Sequence, residues 1–320
     1  MVKQNVLVSI DTEGPIGNMP VERMIYGRIK EGDEYGIKYL MKLLDRYNIK
    51  GLFFVDIAEA WDYGSEKLKT VLKVIEDAGH DTGVHIHPDH MADKKRRYLW
   101  QYSYKEQYEI IAKCTDFYEK ALHKKPLSFR AGRYGANNET LDVLEKLEYR
   151  YDMSEFFGNK YCKIEPPVTC NAVKKCGKRE IIEVPVTSFK SFSTPFYSRY
   201  DKIDSGLKPS EFKRVMRAIH AGSHVDVVSF FMHSFSMLKW RNNPDNPMLD
   251  NHIKKRIIRN LDYLHKDSRV RFINEKELLK LENHNNNSSD ILDVSKGIAS
   301  YYFFVLRSAS VLYDKMILNV

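Results

Sequence analysis

The feature that most constrains this chain is an alternation. Eight short runs rich in apolar, β-branched and aromatic residues recur at 5–11, 51–56, 81–87, 127–131, 149–154, 181–187, 226–233 and 269–274. Between most of them, apolar residues repeat at helical spacing. In 34–48 these are Ile37, Leu40, Met41 and Leu44; in 66–78 they are Leu68, Val71, Leu72 and Ile75. The segments 105–122, 139–147, 210–221 and 250–265 read the same way. Mostly continuous apolar strands alternating with amphipathic helices describe an α/β fold whose parallel sheet is covered on both faces. Seven or eight such units suit an irregular (β/α)7-8 barrel better than an open sheet, a choice that periodicity alone leaves open.

The barrel is expected over 1–283. Two longer excursions, 157–180 and 188–208, contain Pro, Gly and Ser and read as loops over its mouth. The run Asn283 to Asp290 is polar and of low complexity, which predicts a linker over 284–294. Beyond it, 295–320 is rich in apolar residues, but Arg307 interrupts the run and leaves it too short to span a bilayer. It reads as an amphipathic helix docking on the barrel, on a partner subunit or on a membrane surface.

Composition adds bounds. With 43% hydrophobic residues in 320 the chain can bury one large core or two modest ones. A net charge of +8 favours weak attraction to anionic partners without choosing among them. The basic runs Lys94 to Arg97 and Lys254 to Arg256 read as solvated helix faces. Without an aromatic-basic recognition motif, no nucleic-acid partner is expected. No pair among Cys114, Cys162, Cys170 and Cys176 has zinc-knuckle spacing. Met1 to Asn5 runs straight into a strand without a secretory pattern, so a cytoplasmic protein with reduced thiols is expected.

Five clusters of polar or ionisable residues close predicted strands. The first, Ser9-Ile10-Asp11-Thr12-Glu13-Gly14-Pro15, places two carboxylates one residue apart, hence on one side of a continuing strand. Such carboxylates repel unless a proton or metal ion lies between them. The second, Gly79 to His90, holds four of the 11 histidines, and His85 and His87 share a strand face. Imidazole and carboxylate together suit zinc and similar ions. The third, Phe129 to Ala136, supplies Arg130, able to pair with a carboxylate and hold it ionised. The fourth is Tyr151-Asp152-Met153-Ser154, and the fifth, Phe230 to Ser236, ends an apolar strand in His233. Singly, each has an ordinary structural reading as a cap, a core histidine or a salt bridge. Together they gather at the C-terminal mouth, where barrel enzymes keep their sites.

In this order the motifs resemble the polysaccharide deacetylase family, carbohydrate esterase family four, over about 5 to 275. That family pairs an early Asp-Asp motif with a His-rich motif, an Arg motif, an Asp motif and a late His. This chain departs in two places. Its acid motif is Asp-x-Glu, and four residues beyond His85 stands Asp89, which makes the second histidine either His87 or His90. The His-x-His-Pro arrangement is similar to the branch linked to surface-polysaccharide assembly.

The resemblance implies a barrel of the polysaccharide deacetylase type and one divalent ion held by Glu13, His85 and His87. Zinc comes first, and cobalt, nickel, manganese and iron also suit these ligands. It implies Asp11 as general base, His233 as general acid, Arg130 holding Asp11 ionised, and Asp152 orienting or tuning His233. Arg133 and Tyr134 would line the sugar site. The expected activity is metal-dependent removal of an N-acetyl group from an amino sugar of a polysaccharide or of its nucleotide- or lipid-linked precursor. Two other readings stand beside it: a deformylase or related amide hydrolase on the same site, and a catalytically degenerate protein that binds a glycan or partner.

Overall fold

The computed structural model describes residues 3–14, 20–167, 171–176, 179–222, 225–240, 246–281 and 291–318. Among these residues thirteen strands follow one another. They are β1 (Gln4–Thr12), β2 (Leu52–Asp56), β3 (Asp81–Ile86), β4 (Ser128–Ala131), β5 (Tyr151–Asp152), β6 (Lys174–Lys175) and β7 (Ile182–Glu183). Then come β8 (Ser188–Thr194), β9 (Tyr197–Lys202), β10 (Val227–His233), β11 (Leu238–Lys239), β12 (Met248–Leu249) and β13 (Val270–Phe272). All eight runs expected as strands lie in one sheet, as β1, β2, β3, β4, β5, β7, β10 and β13, and these pair in parallel.

The sheet runs β10-β1-β2-β3-β4-β5-β7-β6, with β13 on the lower part of β1 and β6 antiparallel to β7. It closes irregularly. The Thr187 hydroxyl donates to the Val227 carbonyl at 3.1 Å and accepts from Ser229 N–H at 2.8 Å. Ile203 N–H donates to the Thr187 carbonyl, and Phe231 N–H to that of Ile203, each at 3.0 Å. A side chain and a loop backbone thus take the place of a strand ladder, giving an irregular α/β barrel.

Period-two alternation assigns the faces. Val6, Val8, Ile10, Phe53, Val55, Val84, Ile86 and Phe129 point outward, into the core shared with the helices. Leu7, Leu52, Phe54, Tyr151, Met153, Ile182, Val184 and Val227 point into the lumen. The outer helices include Ile37–Asp45, Ser65–Asp77, Tyr104–Leu122, Asn138–Lys146, Pro209–His220 and Asn251–Lys266, as their spacing predicts. Leu278 and Leu281, from a turn of helix after β13, close the lumen at its N-terminal end.

The segment 188–208 departs from expectation. Most of it is an antiparallel hairpin, β8 against β9, whose register shifts between Lys190 and Phe192. Its alternation carries the signal of a strand pair, and Pro195 sits in the turn. Of the expected linker, 284–290 lies outside the described residues. Residues 291–294 are not a linker, because Leu292 and Val294 bond the backbone of Lys190 and are buried. The last helix, Ile298–Leu318, packs against the hairpin, with Phe304 stacked on Phe192 at 4.2 Å. Its Arg307 binds Asp201 at 2.6 Å and Glu211 at 2.8 Å. Among the described residues no helix is long and apolar enough to cross a membrane.

Candidate active site at the mouth of the barrel

Going up β1, the lumen-facing residues are Leu7, Ser9 and Asp11, with Glu13 one step beyond. The polarity of the lumen therefore rises toward its C-terminal mouth. Glu13 continues past the last ladder pair because Ser234 holds it. The Ser234 hydroxyl donates to the Glu13 carbonyl at 3.0 Å, and Ser234 N–H donates to the Asp11 carbonyl at 2.8 Å.

The Glu13 carboxylate meets both strand histidines. Its Oε2 lies 2.7 Å from His87 Nε2 and 3.2 Å from His85 Nε2. His85 Nδ1 lies 2.8 Å from the Arg130 carbonyl, which can only accept. Nδ1 therefore carries a proton, which leaves Nε2 as the nitrogen that could ligate an ion, the orientation a ligating histidine takes when a backbone carbonyl holds its other nitrogen. The three ligand atoms all fall within 4.8 Å of one another, so the residues fit a divalent ion. Burial pushes the Glu13 carboxyl up, but His87 and His85 hold it well below the usual range. Burial pulls His87 down. It pulls His85 down too, yet Asp11 and Glu13 raise that imidazole to about 9.

His87 rather than His90 joins Glu13. His90 turns away, its Nδ1 2.6 Å from Asp62 Oδ2. Close approach of backbone makes room for His87. A Cβ on Gly132 would come within 2.6 Å of the His87 ring and 2.7 Å of the Ile86 carbonyl.

Arg130 is the largest fully buried side chain and ties the lumen together. Its Nη1 donates to Asp11 Oδ1 at 2.6 Å, Nη2 to the Ser9 hydroxyl at 3.1 Å, and Nε to the Met153 carbonyl at 3.1 Å. Its guanidinium lies over Phe54 and Phe231. Every face of a buried cation is thereby met. Asp11 Oδ2 lies 3.9 Å from His85 Nε2, beside the Glu13 group. On β10, the register partner of Asp11 is His233. Its Nε2 stands 3.5 Å from Glu13 Oε1, its ring stacks on Phe235, and a third of the side chain reaches solvent. Burial lowers the His233 imidazole, against the pull of Glu13 and Asp11.

Asp152 is elsewhere. On β5, Tyr151 and Met153 take the lumen, so alternation turns Asp152 to the outer face. It accepts from the Ser154 hydroxyl at 2.6 Å and faces Glu183, and His233 is not among its partners. Burial and the repulsion of Asp152 drive Glu183 well above the usual carboxyl range. The expected tuning of His233 by Asp152 is corrected accordingly.

Arg133 lines a cavity of about 640 Å³ beside Glu13 and His87, fixed by a two-pronged pair with Asp89 at 2.8 and 3.1 Å. The Tyr134 hydroxyl accepts from Lys202 Nζ at 2.5 Å. Lys202 was not singled out by sequence, since it comes from the hairpin read as loop. Its ammonium lies 3.6 Å from the centre of the Phe231 ring. Burial brings it down to about 8, against Asp204 and Asp11.

Fold and site together define a barrel with a carboxylate–imidazole group at its mouth, flanked by a buried Asp–Arg pair and a solvent-reaching histidine. Residues 21–151 match the model of the polysaccharide deacetylase family. Over 123 residues it is 28% identical to the peptidoglycan deacetylase-like protein FGM2 of Gibberella zeae. That match covers 37% of this chain and 32% of FGM2, so it spans about a third of that relative. A structure assigned as a polysaccharide deacetylase from Mycobacterium smegmatis superimposes with a TM-score of 0.56 at 16% identity, covering 87% of this chain and 90% of the other. One with the same assignment from Pseudomonas aeruginosa PAO1 gives 0.55 at 12% identity, with the same coverage. At these identities the likeness establishes the fold.

Proposed function

We propose that this protein is a metal-dependent N-deacetylase acting on an amino sugar. The observation that carries the reading is the Glu13 carboxylate held between two imidazoles at 2.7 and 3.2 Å, with Asp11 and His233 on adjacent strands beside it. Glu13, His85 and His87 would hold a divalent ion, zinc being our first choice. When bound, such an ion supplies Lewis acidity at the acetamide carbonyl and acidifies the attacking water.

The protein's own groups handle the protons. Arg130 holds Asp11 through Oδ1 at 2.6 Å, which leaves Oδ2 to take a proton from water as the water oxygen bonds to the acetyl carbon. His233, open to solvent, would pass a proton to the sugar nitrogen as the C–N bond breaks. Acetate and a free amine leave. Lys94 and Arg97 line the cavity beside Glu13, and Lys202 borders the site on the other side. These cations favour an anionic sugar, and we propose a nucleotide- or lipid-linked precursor. The free thiols at Cys114, Cys162 and Cys176 accord with work in the cytoplasm.

The test is acetate release from UDP-linked and oligomeric N-acetyl amino sugars, with and without chelator, for the wild type, Asp11→Asn and His233→Ala. Release from the UDP-linked sugar, abolished by chelator and reduced about 10²–10⁴-fold in each variant, is expected. Release of formate from N-formyl sugars, with no acetate from any N-acetyl sugar, would replace this reading by a deformylase.

A further inference from the structure

Beside the site lies a second group that the mechanism does not use. Asp56 closes β2, and its Oδ1 accepts from Ala58 N–H at 3.1 Å and His87 N–H at 3.2 Å. Its Oδ2 is buried and has no hydrogen-bond partner among the described residues. Glu59 follows one turn later. Its Oε1 accepts from Gly14 N–H at 2.6 Å, and its Oε2 is likewise buried without a partner. Both side chains have 0% exposure. Among the described residues no lysine or arginine is within ion-pair distance of either; the nearby Lys94 reaches Asp62 instead, at 3.9 Å.

His90 completes the group. Its Nδ1 is taken by Asp62 Oδ2 at 2.6 Å, which leaves Nε2 facing Asp56 Oδ2 at 3.8 Å, too far for a hydrogen bond. The three ligand atoms, one each from Asp56, Glu59 and His90, lie within 4.8 Å of one another. A carboxylate behind the outer nitrogen of an imidazole is the arrangement that orients a metal-ligating histidine. Two buried carboxylate oxygens without donors are costly unless a cation meets them. The buried pair Asp152 and Glu183 also leaves one oxygen on each carboxyl without a partner, but those two groups face each other. Asp56 and Glu59 instead spend one oxygen each on backbone N–H groups and leave the other toward His90.

We propose that Asp56, Glu59 and His90 form a second divalent-cation site, behind the Glu13–His85–His87 group and joined to it through the backbone of His87. Two carboxylates and one imidazole suit zinc, manganese or iron(II). The cavity lined by Glu13, Gly14, His87, Asp62 and His90 gives the ion a route in. The inference stands on these contacts and does not depend on the deacetylase reading.

The test is zinc stoichiometry on the full chain, stripped with chelator, reloaded with zinc alone, desalted and assayed by elemental analysis. Circular dichroism and Tm verify that each variant is folded. Two equivalents are expected in the wild type, and one in His90→Ala, in Glu59→Gln and in the double variant His85→Ala/His87→Ala. Asp62→Asn keeps all three ligands and is expected to weaken the second equivalent about 10–100-fold. A wild type with one equivalent, lost in His90→Ala and kept in the double variant, would support this site and remove the first. His90→Ala and Glu59→Gln holding as much zinc as the wild type would overturn the proposal. A shared proton in place of a cation would give that same result.

Discussion

The two ends of the barrel lumen are built from the same strands and work by opposite means. At the N-terminal end Leu7, Leu52, Val227, Ile273, Leu278 and Leu281 pack against one another, and burial of apolar area holds them. At the C-terminal end the same strands carry Asp11, Glu13, Asp56, His85, Arg130 and His233, and each is held by a named donor, acceptor or ring. Two steps of two residues along a strand move from one regime to the other, as from Leu7 through Ser9 to Asp11. The difference teaches that this mouth is a cost which the floor offsets. It stays ordered through those partners, with the second oxygens of Asp56 and Glu59 the exception.

That contrast can be broken at several points. The largest effect is expected from Arg130→Met, which leaves Asp11 buried without its cation and frees the Ser9 hydroxyl and the Met153 carbonyl. Urea unfolding should show a loss of about 3–5 kcal/mol. A loss under about 1 kcal/mol would mean that the pair contributes nothing to the mouth. Next comes the floor. Leu278→Ala should cost about 2–5 kcal/mol through the cavity it opens, while zinc binding at the mouth stays at wild-type strength. Coupled loss of both would show that the two ends are not independent.

Smaller effects sharpen the comparison. Gly132→Ala drives a methyl against the His87 ring and should weaken zinc binding at the first site by about 10-fold. Titration with a competing chelator reads this directly, and unchanged affinity would show that the ring has room to yield. Another effect of similar size concerns a charge misplaced at the floor. Burial and the neighbouring Asp81 raise the Glu275 carboxyl to about 7, against an ordinary value of 4.5. Between those values the folded protein holds a proton that the unfolded chain releases. Stability from this group is therefore full at low pH, falls as pH rises through about 4.5 to 7, and is flat above. Glu275→Gln should remove that slope and gain on the order of 2 kcal/mol at pH 8. Identical pH profiles of Tm in variant and wild type would refute it.

Much of this was legible in the chain. The eight strands could be read because a parallel sheet covered on both faces needs near-continuous apolar runs. The acid and histidine clusters could be read because they interrupt those runs at their ends. Asp152 misled because β5 is only two residues long, and parity there depends on pairing with β4 and β7, which a run of six letters does not reveal. The hairpin 188–202 was read as loop because Pro and Ser outweighed its alternation. Asp56 and Glu59 sat unmarked beside an ordinary strand end, and what singles them out is that two oxygens without donors gather beside the His90 ring, a property of the packed surroundings.

By itself, then, the sequence determined the alternation of strand and helix, the order of polar clusters at the strand ends, and the pairing of Asp11 with Glu13 and of His85 with His87 on shared faces. These follow from periods of two and 3.6 residues, which are local. Tertiary structure alone decided that His87 rather than His90 meets Glu13, that Arg130 reaches across 119 positions of chain to Asp11, and that Lys202 arrives from a hairpin to border the site. Those are matters of distance between strands, set by the closure of the barrel rather than by any window of residues.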